Sequence, residues 1–403
     1  MASIKRRMEI DVLQAARERI AFTFDHFERV YVSFSAGKDS SVMLHLVLDE
    51  AIKRRRKIGV LLIDLEAQYN LTIRHAAQMF ALYAEHMEIY WVCLPIKLRN
   101  SVSNYEPVWC CWQPEREIDW VRPMPLHPGV ISDPTYFDFF QPHMEFEEFI
   151  VLFGKWFARD IGAAGFIGIR TDESLNRFRA IAVWDKEMFA GKRYTTKIAE
   201  GLYNVYPIYD WHVNDIWRYH AHFPERLHNE VYDRMHLAGL SPSQMRLCQP
   251  YGDDQKRGLW LYHLIEPQTW GRVVARVNGA NSGALYIEET GNITGYNKIK
   301  KPAGHTWKSF ANLLLATMPE VTREHYLARF RSWMKGWQSR GYRNGIPDEA
   351  PRNLEKKYWA PSWRRLCKVL LRNDWWCKGL GLTQPKSAAY EKYLAIKRER
   401  RVA

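Results

Sequence analysis

Val30-Tyr-Val-Ser-Phe-Ser35-Ala36-Gly37-Lys38-Asp39-Ser40-Ser41-Val-Met-Leu-His-Leu-Val-Leu48 is the stretch from which the fold is read. Aromatic and β-branched residues up to Phe34 read as a buried strand, and the apolar run after Ser41 continues as a helix of several turns. A loop holding Ser35 to Ser41 therefore joins strand to helix. The first N–H groups of a helix lack internal partners and its dipole favours negative charge, so a loop in this position suits phosphate. Gly37 lets the backbone approach closely, Lys38 adds a cation, and Ser35, Ser40 and Ser41 supply hydroxyls. Asp39 or Ser40 is expected to cap the helix. A Walker loop has two glycines with four residues between them, the second opening its Gly-Lys-Ser/Thr; here Gly37 is the loop's one glycine and Asp39 follows the lysine, which excludes a P-loop NTPase site.

Around this stretch, residues 8 to 28 carry apolar side chains at helical spacing and predict an amphipathic helix beside the first strand. The run Arg54-Arg55-Arg56-Lys57 closes the helix that follows the loop, where positive charge suits a C-terminus. Gly59-Val-Leu-Leu-Ile-Asp64-Leu-Glu66 reads as a buried parallel strand ending in two carboxylates, and ligands of doubly wound sheets sit at such strand ends. For Asp64 and Glu66 a turn or capping role is the alternative. Residues 71 to 86 read as helix and Ile89 to Leu94 as a third strand. From Asn100 to Gln141 the pattern breaks into Pro, Trp, Tyr and Asp, a long insertion that is expected to be a functional loop such as a substrate lid. Adjacent Cys110 and Cys111 are poorly placed to chelate one ion without strain.

Two further strand-to-helix passages follow. In Gly165-Phe-Ile-Gly168-Ile-Arg170-Thr-Asp-Glu173-Ser-Leu-Asn-Arg177, a strand ends at Arg170 and a helix begins near Asp172, so two guanidiniums stand where an anion can be gripped. Salt bridges to Asp172 or Glu173 are the alternative use. Tyr206-Pro-Ile-Tyr-Asp210-Trp211-His212-Val-Asn-Asp215-Ile-Trp217 is the second; Asp210 caps a helix or orients the nucleotide loop, and Trp211 and Trp217 read as core.

Ser-x-Gly-Lys-Asp-Ser after a hydrophobic strand resembles the PP-loop of the adenine-nucleotide α-hydrolase superfamily. Gly-x-Arg-x-x-Glu-Ser-x-x-Arg and Pro-Ile-x-Asp-Trp-x-x-x-Asp-Ile-Trp are similar to elements of phosphoadenosine-phosphosulfate reductases and ATP sulfurylase small subunits, with His212 where relatives often carry Thr. Asn229 to Met235 resembles the tyrosine-bearing segment of the same family. Met245 to Gly258, and Val277 to Ala284 after it, resemble a narrower bacterial and phage-borne group, the immunoglobulin-binding regulator A type. The resemblance implies an α/β fold with a doubly wound, mostly parallel sheet. It also implies ATP or a related adenine nucleotide on the loop, Mg²⁺ bridging the phosphates, and cleavage at the α-phosphorus to adenylate an acceptor or transfer sulfur. Carried onto this chain, it implies a catalytic set of Ser35, Lys38, Arg170 and Arg177. The binding set it implies is Ser35, Ala36, Gly37, Lys38, Asp39, Ser40, Ser41, Asp64, Glu66, Gly168, Arg170 and Asp210. The reductases carry a Glu-Cys-Gly-x-His motif near the C-terminus; nothing like it follows Cys377, so sulfonucleotide reduction is not expected. The alternative class is a nucleotide-sensing regulator or nucleic-acid-binding protein with little catalysis.

With 403 residues the chain is expected to form a nucleotide-binding domain over 1–260, with the insertion at about 100–145, and a mainly helical basic region over 261–403. The 17 tryptophans point to packed interfaces, or to a surface that stacks on something flat. Residues 321 to 403 hold 20 Lys/Arg against 7 Asp/Glu, the whole of the chain's +13 excess. Basic side chains there interleave with Trp333, Trp337, Trp359, Trp363, Trp375 and Trp376, a composition suited to nucleic acid or an acidic protein partner, and equally to cations lying over a small core. No apolar stretch approaches a membrane span and the basic start leads into an amphipathic segment, so a cytoplasmic protein with no membrane contact is expected. Six cysteines without C-x-x-C spacing predict reduced thiols.

Overall fold

The structure, a computed structural model, describes residues 9–103, 105–182, 186–247, 252, 259–280, 299 and 301–382. The stretches 248–251, 253–258 and 281–284, and the helix expected over Ser387 to Arg401, lie outside the described residues. Chain contacts divide the protein into two units. The first is built from the described parts of Met1–Lys97 and Cys110–Leu247, the second from those of Leu98–Trp109 and Cys248–Lys386.

In the first unit, α1 (Val12–His26), β1 (Arg29–Ser33), α2 (Lys38–Lys53), β2 (Ile58–Ile63), α3 (Asn70–Leu82) and β3 (Met87–Val92) follow one another as helices alternating with strands. The strands β4 (Lys97–Arg99) and β5 (Val108–Cys110), which belong for the most part to the second unit, form a separate two-stranded sheet. After them come β6 (Val130–Ile131), α4 (Phe146–Ala158), β7 (Ala163–Ile167), α5 (Leu175–Ala182), the hairpin β8 (Thr195–Ala199) and β9 (Leu202–Val205), α6 (Val213–His222) and α7 (Val231–Leu237). The main sheet has seven strands in the order β6-β3-β2-β1-β7-β9-β8, parallel throughout except for β8.

This is a mixed α/β, mostly parallel sheet with helical crossovers. The chain leaves β1 toward β2, β3 and β6, then returns to the other side of β1 with β7 and β9. Strand order thus reverses between β1 and β7, the place where doubly wound sheets open a crevice at their strand ends. Buried side chains cover both faces, as a parallel sheet requires: Val30, Tyr31 and Val32 of β1 and Val60, Leu61 and Leu62 of β2 are at most 2 % exposed.

Two sequence expectations are corrected here. α2 starts at Lys38, with Gly37 at its N-cap and no side-chain capping bond, so Asp39 and Ser40 lie inside the first turn and neither caps. The stretch from Asn100 to Gln141, expected as a long functional loop, is mostly irregular but packed along part of its length rather than loose. Its Trp109, Cys111, Trp112 and Phe137 are buried, and β6 from within it extends the sheet beside β3. Burying the rings of Trp109, Trp112 and Phe137 packs that part of the stretch, while Tyr105 and Tyr136 stay exposed. The run Arg54 to Lys57 is structural in two of its members: Arg54 pairs with Asp25 and Glu50, and Arg56 donates to the carbonyls of Phe24, Phe27 and Glu28.

The second unit is helical after its first strand residues: α8 (Leu259–Ile265), α9 (Pro267–Arg276), α10 (Trp307–Thr317), α11 (Glu320–Gln338), the short α12 (Arg352–Lys356) and α13 (Trp363–Leu371). Trp307, Phe310, Tyr326, Phe330, Trp333, Trp337, Leu366 and Leu370 form its core. Asp348 caps α10 by accepting from the N–H groups of Trp307 and Lys308. Among the described residues no helix is long and apolar enough to cross a membrane.

Candidate functional site

The loop after β1 and the loop after β7 meet at the point where strand order reverses. Gly168 follows β7, and a Cβ built there would come within 3.2 Å of Ser40 Cα and 3.3 Å of Ser40 N, so a side chain would push the two loops apart. Ala36 carries the turn between β1 and α2 at φ 55°, the left-handed region. Ser40 Oγ then fastens the loop to itself, accepting from Ser35 N at 3.3 Å, lying 3.1 Å from Ser35 Oγ and donating to Gly37 O at 3.1 Å.

Charges are concentrated here. Asp39 pairs with Lys38 Nζ at 3.0 Å and with Arg170 Nε at 2.5 Å, while Lys38 Nζ also donates to Met245 O at 3.2 Å. Lys38 and Arg170 are 5 % and 4 % exposed. Burial pushes the Lys38 ammonium below its ordinary value, against the pull of Asp39. Burial acts on Asp39 in the opposite sense, but Lys38 and Arg170 outweigh it and hold the carboxyl below its ordinary value. Arg177 is paired with Glu173, so the salt-bridge use foreseen for that element is realised, and Arg246 donates to Glu173 O at 2.8 Å. The cations Lys38, Arg170, Arg177 and Arg246 thus face the carboxylates Asp39 and Glu173, leaving a positive surplus beside a helix N-terminus.

Residues that the motifs did not assign to the site complete the loop's frame. Tyr232 OH of α7 accepts from Lys38 N at 3.0 Å, and its ring lies 5.6 Å from Lys38 Nζ. Asn229 Nδ2 donates to Ala36 O at 2.9 Å and to Thr72 Oγ1 at 3.1 Å, and Ser41 Oγ lies 2.8 Å from His75 Nε2. The tyrosine-bearing segment was legible in the sequence; that Tyr232 reaches a backbone N–H about 190 residues away in the chain was not, because long-range pairing leaves no local pattern.

Asp64, Glu66 and Asp210 stand elsewhere and are engaged within the chain. Asp64, wholly buried, pairs with Arg122 and accepts from Trp91 Nε1 at 2.9 Å. Glu66 accepts from Trp112 N at 2.8 Å and Val121 N at 3.0 Å. Together they fasten the aromatic insertion to the end of β2, which is the turn-type use rather than an open carboxylate edge. Asp210 accepts from Arg19 Nη1 at 2.8 Å and Nη2 at 2.7 Å, tying α1 to the turn after β9, and does not reach the loop. His212 begins α6 with Asp215 accepting from its N–H at 2.8 Å, so the cap comes from the third residue of the helix. Cys110 and Cys111 are buried free thiols; Cys111 is pushed well up by burial and donates to Leu94 O and Ile96 O.

A family model for a domain of unknown function, DUF3440, matches residues 239–359. Over 396 residues the chain is 43 % identical to a protein of Escherichia coli (strain K12) described as uncharacterized protein YbdN, covering 98 % of this chain and 96 % of that one. A solved structure of phosphoadenylyl-sulfate reductase from Candida auris, in a phosphate complex, matches at TM-score 0.28 and 13 % identity. That match covers 58 % of this chain and 94 % of that one, and a likeness so slight carries no argument.

Proposed function

We propose that this chain, which belongs to the family of the Escherichia coli protein YbdN, binds ATP or a related adenine nucleotide on the loop Ser35 to Ser41 and cleaves it at the α-phosphorus. The observation that carries the reading is the coincidence of three features at one point: the reversal of strand order, the N-terminus of α2, and the Lys38–Asp39–Arg170 cluster. Helix N–H groups and Lys38 take the phosphates. Arg170, with Arg177 and Arg246 nearby, stabilises charge that builds on the departing pyrophosphate as an acceptor's nucleophile bonds to the α-phosphorus. Asp39, a hard oxygen donor on the loop, is the residue that would hold Mg²⁺, and the ion would supply positive charge to the phosphates. The product set is AMP, carried on the acceptor or released, and pyrophosphate.

Reduction of a sulfonucleotide is not part of this reading. Cys367 and Cys377 are wholly buried in the second unit and burial pushes each up to about 12, so neither offers a thiolate. A sensing role with little turnover is favoured by a separate observation: Lys38 and Arg170 are already paired with Asp39, so a nucleotide must exchange ion pairs to enter. Incubation with ATP labelled at the α- and γ-positions separates the readings. AMP and pyrophosphate support the enzyme, ADP and phosphate contradict it, and tight binding without either product is the sensor's result.

A further inference from the structure

Of the six tryptophans interleaved with basic residues near the C-terminus, five are packed. Trp333 and Trp337 are core, Trp363 packs against that core, Trp376 is buried, and Trp375 stacks on His325 with ring centroids 3.4 Å apart. Trp359 is the exception, 65 % exposed, and its neighbour Tyr358 is 49 % exposed. Two adjacent large aromatics left in water call for a reason.

They are also held in place. Tyr358 sits at φ 61°, a region that a bulky side chain rarely adopts, and its hydroxyl donates to Lys378 O at 3.4 Å. The buried Arg365 guanidinium lies 5.0 Å from the Tyr358 ring and fastens the turn by donating to Ala360 O and Gly379 O, each at 2.9 Å. Trp359 N donates to Leu354 O at 2.9 Å. The two rings therefore stand on a rigid knuckle, not on a loose loop.

Cations surround the knuckle in sequence and space. Arg352, Lys356, Lys357 and Lys378 are exposed, and Lys357 Nζ lies 4.6 Å from the centre of the Trp359 ring. The carboxylates that would balance them are turned to other work. Glu355 accepts from Ser362 Oγ and Arg364, Glu349 from Trp307 Nε1 and Arg364, and Asp374 from the N–H groups of Lys378 and Gly379. Within residues 301 to 382, 16 Lys/Arg face 6 Asp/Glu. A cation over an exposed aromatic ring matches what each nucleotide of a single strand presents, an anionic phosphate next to a flat base. In a duplex the bases are stacked inside and their faces are not offered.

We infer that the Lys356-Lys357-Tyr358-Trp359 knuckle is a docking site for single-stranded nucleic acid, its phosphates on the lysines and a base stacked on Trp359. The site belongs to the second unit by itself and does not depend on the nucleotide reading of the first.

The test is fluorescence anisotropy of a labelled oligothymidylate of about 16 nucleotides with the full-length protein, at low and physiological salt, beside a duplex of equal length. Trp359→Ala is expected to weaken single-strand binding about tenfold with melting temperature unchanged, since the ring is exposed. Lys356→Ala/Lys357→Ala is expected to lower the slope of log affinity against log salt by roughly 1.4. No single-strand binding, or binding untouched by Trp359→Ala, overturns the inference. So does equal displacement by polyglutamate, which would make the patch a reader of charge alone, or duplex binding as tight as single-strand binding with no loss in Trp359→Ala.

Discussion

Asp39 accepts a hydrogen bond from Arg170 Nε at 2.5 Å, and through that pair the loop after β1 is joined to the loop after β7 across the sheet's switch point. Arg170 is 4 % exposed and Asp39's side chain 13 %, and removing one partner of such a pair strands the other charge. Asp39→Ala is expected to lose about 3–5 kcal/mol in urea unfolding. Millimolar pyrophosphate should restore part of that loss, since an anion then replaces the missing carboxylate beside Lys38 and Arg170. The sign with pH follows from the lowered folded value: the pair's stability is fully present above the ordinary carboxylate value of 3.8 and is lost as pH falls through the lowered one. A loss well under 1 kcal/mol, or indifference to pyrophosphate, would show that the pair does not hold the two loops.

Arg170 and Arg177 should separate under the same substitution. Arg177's side chain is 43 % exposed and its partner Glu173, just ahead of α5, is 9 % exposed but keeps Arg170 as a second cation, so Arg177→Ala is expected to cost about 1 kcal/mol of stability while lowering turnover. Arg170→Ala is expected to lower both. Unfolding curves and product formation measured on one preparation of each variant check this; an Arg177→Ala protein that melts early and turns over normally once folded would make that residue structural.

Three histidines packed near the loop should make the protein acid-sensitive. Burial pushes His75 down to about 3, and His45 and His220 down to about 4. Each is neutral when folded but takes a proton near 6.5 when unfolded, so stability is full above that value and is lost as pH falls toward the folded ones. Both ring nitrogens of His220 are buried without a hydrogen-bond partner among the described residues. His220→Phe is therefore expected to flatten the fall in melting temperature between about pH 6.5 and 4. An unchanged profile would assign the acid sensitivity to other groups.

The sequence displayed the fold wherever chemistry is local. Strand, loop and helix around Ser35 to Ser41 follow from alternation, one glycine and an apolar run, and α10, α11 and α13 from helical spacing. What it hid was which charges find each other. Asp64, Glu66 and Asp210 end strands or turns as ligand-facing carboxylates do, yet Arg122, the backbone of Trp112 and Val121, and Arg19 take them up. Those partners are far along the chain. The stretch from Asn100 to Gln141 read as a loop because Pro, Trp, Tyr and Asp break every period there, while the burial of Trp109, Trp112 and Phe137 leaves no periodic trace. Tyr232 and Asn229 were visible as a segment, but their grip on the loop appears only when α7 is folded against α2.

The thiols provide a negative check. Neither Cys367 nor Cys377 should support reduction of phosphoadenosine phosphosulfate with thioredoxin, each being wholly buried and pushed up to about 12. No sulfite above a protein-free control is the expected result. Sulfite formation abolished by Cys367→Ser or Cys377→Ser would restore the reductase reading.

The central claim is nucleotide binding at the loop Ser35 to Ser41, and titration calorimetry of MgATP into the protein tests it most directly. Lys38→Ala and Ser35→Ala each remove a contact expected to be worth about 1–3 kcal/mol, so each should weaken ATP binding by one to two orders of magnitude, roughly. Affinity unchanged in both variants would contradict the account.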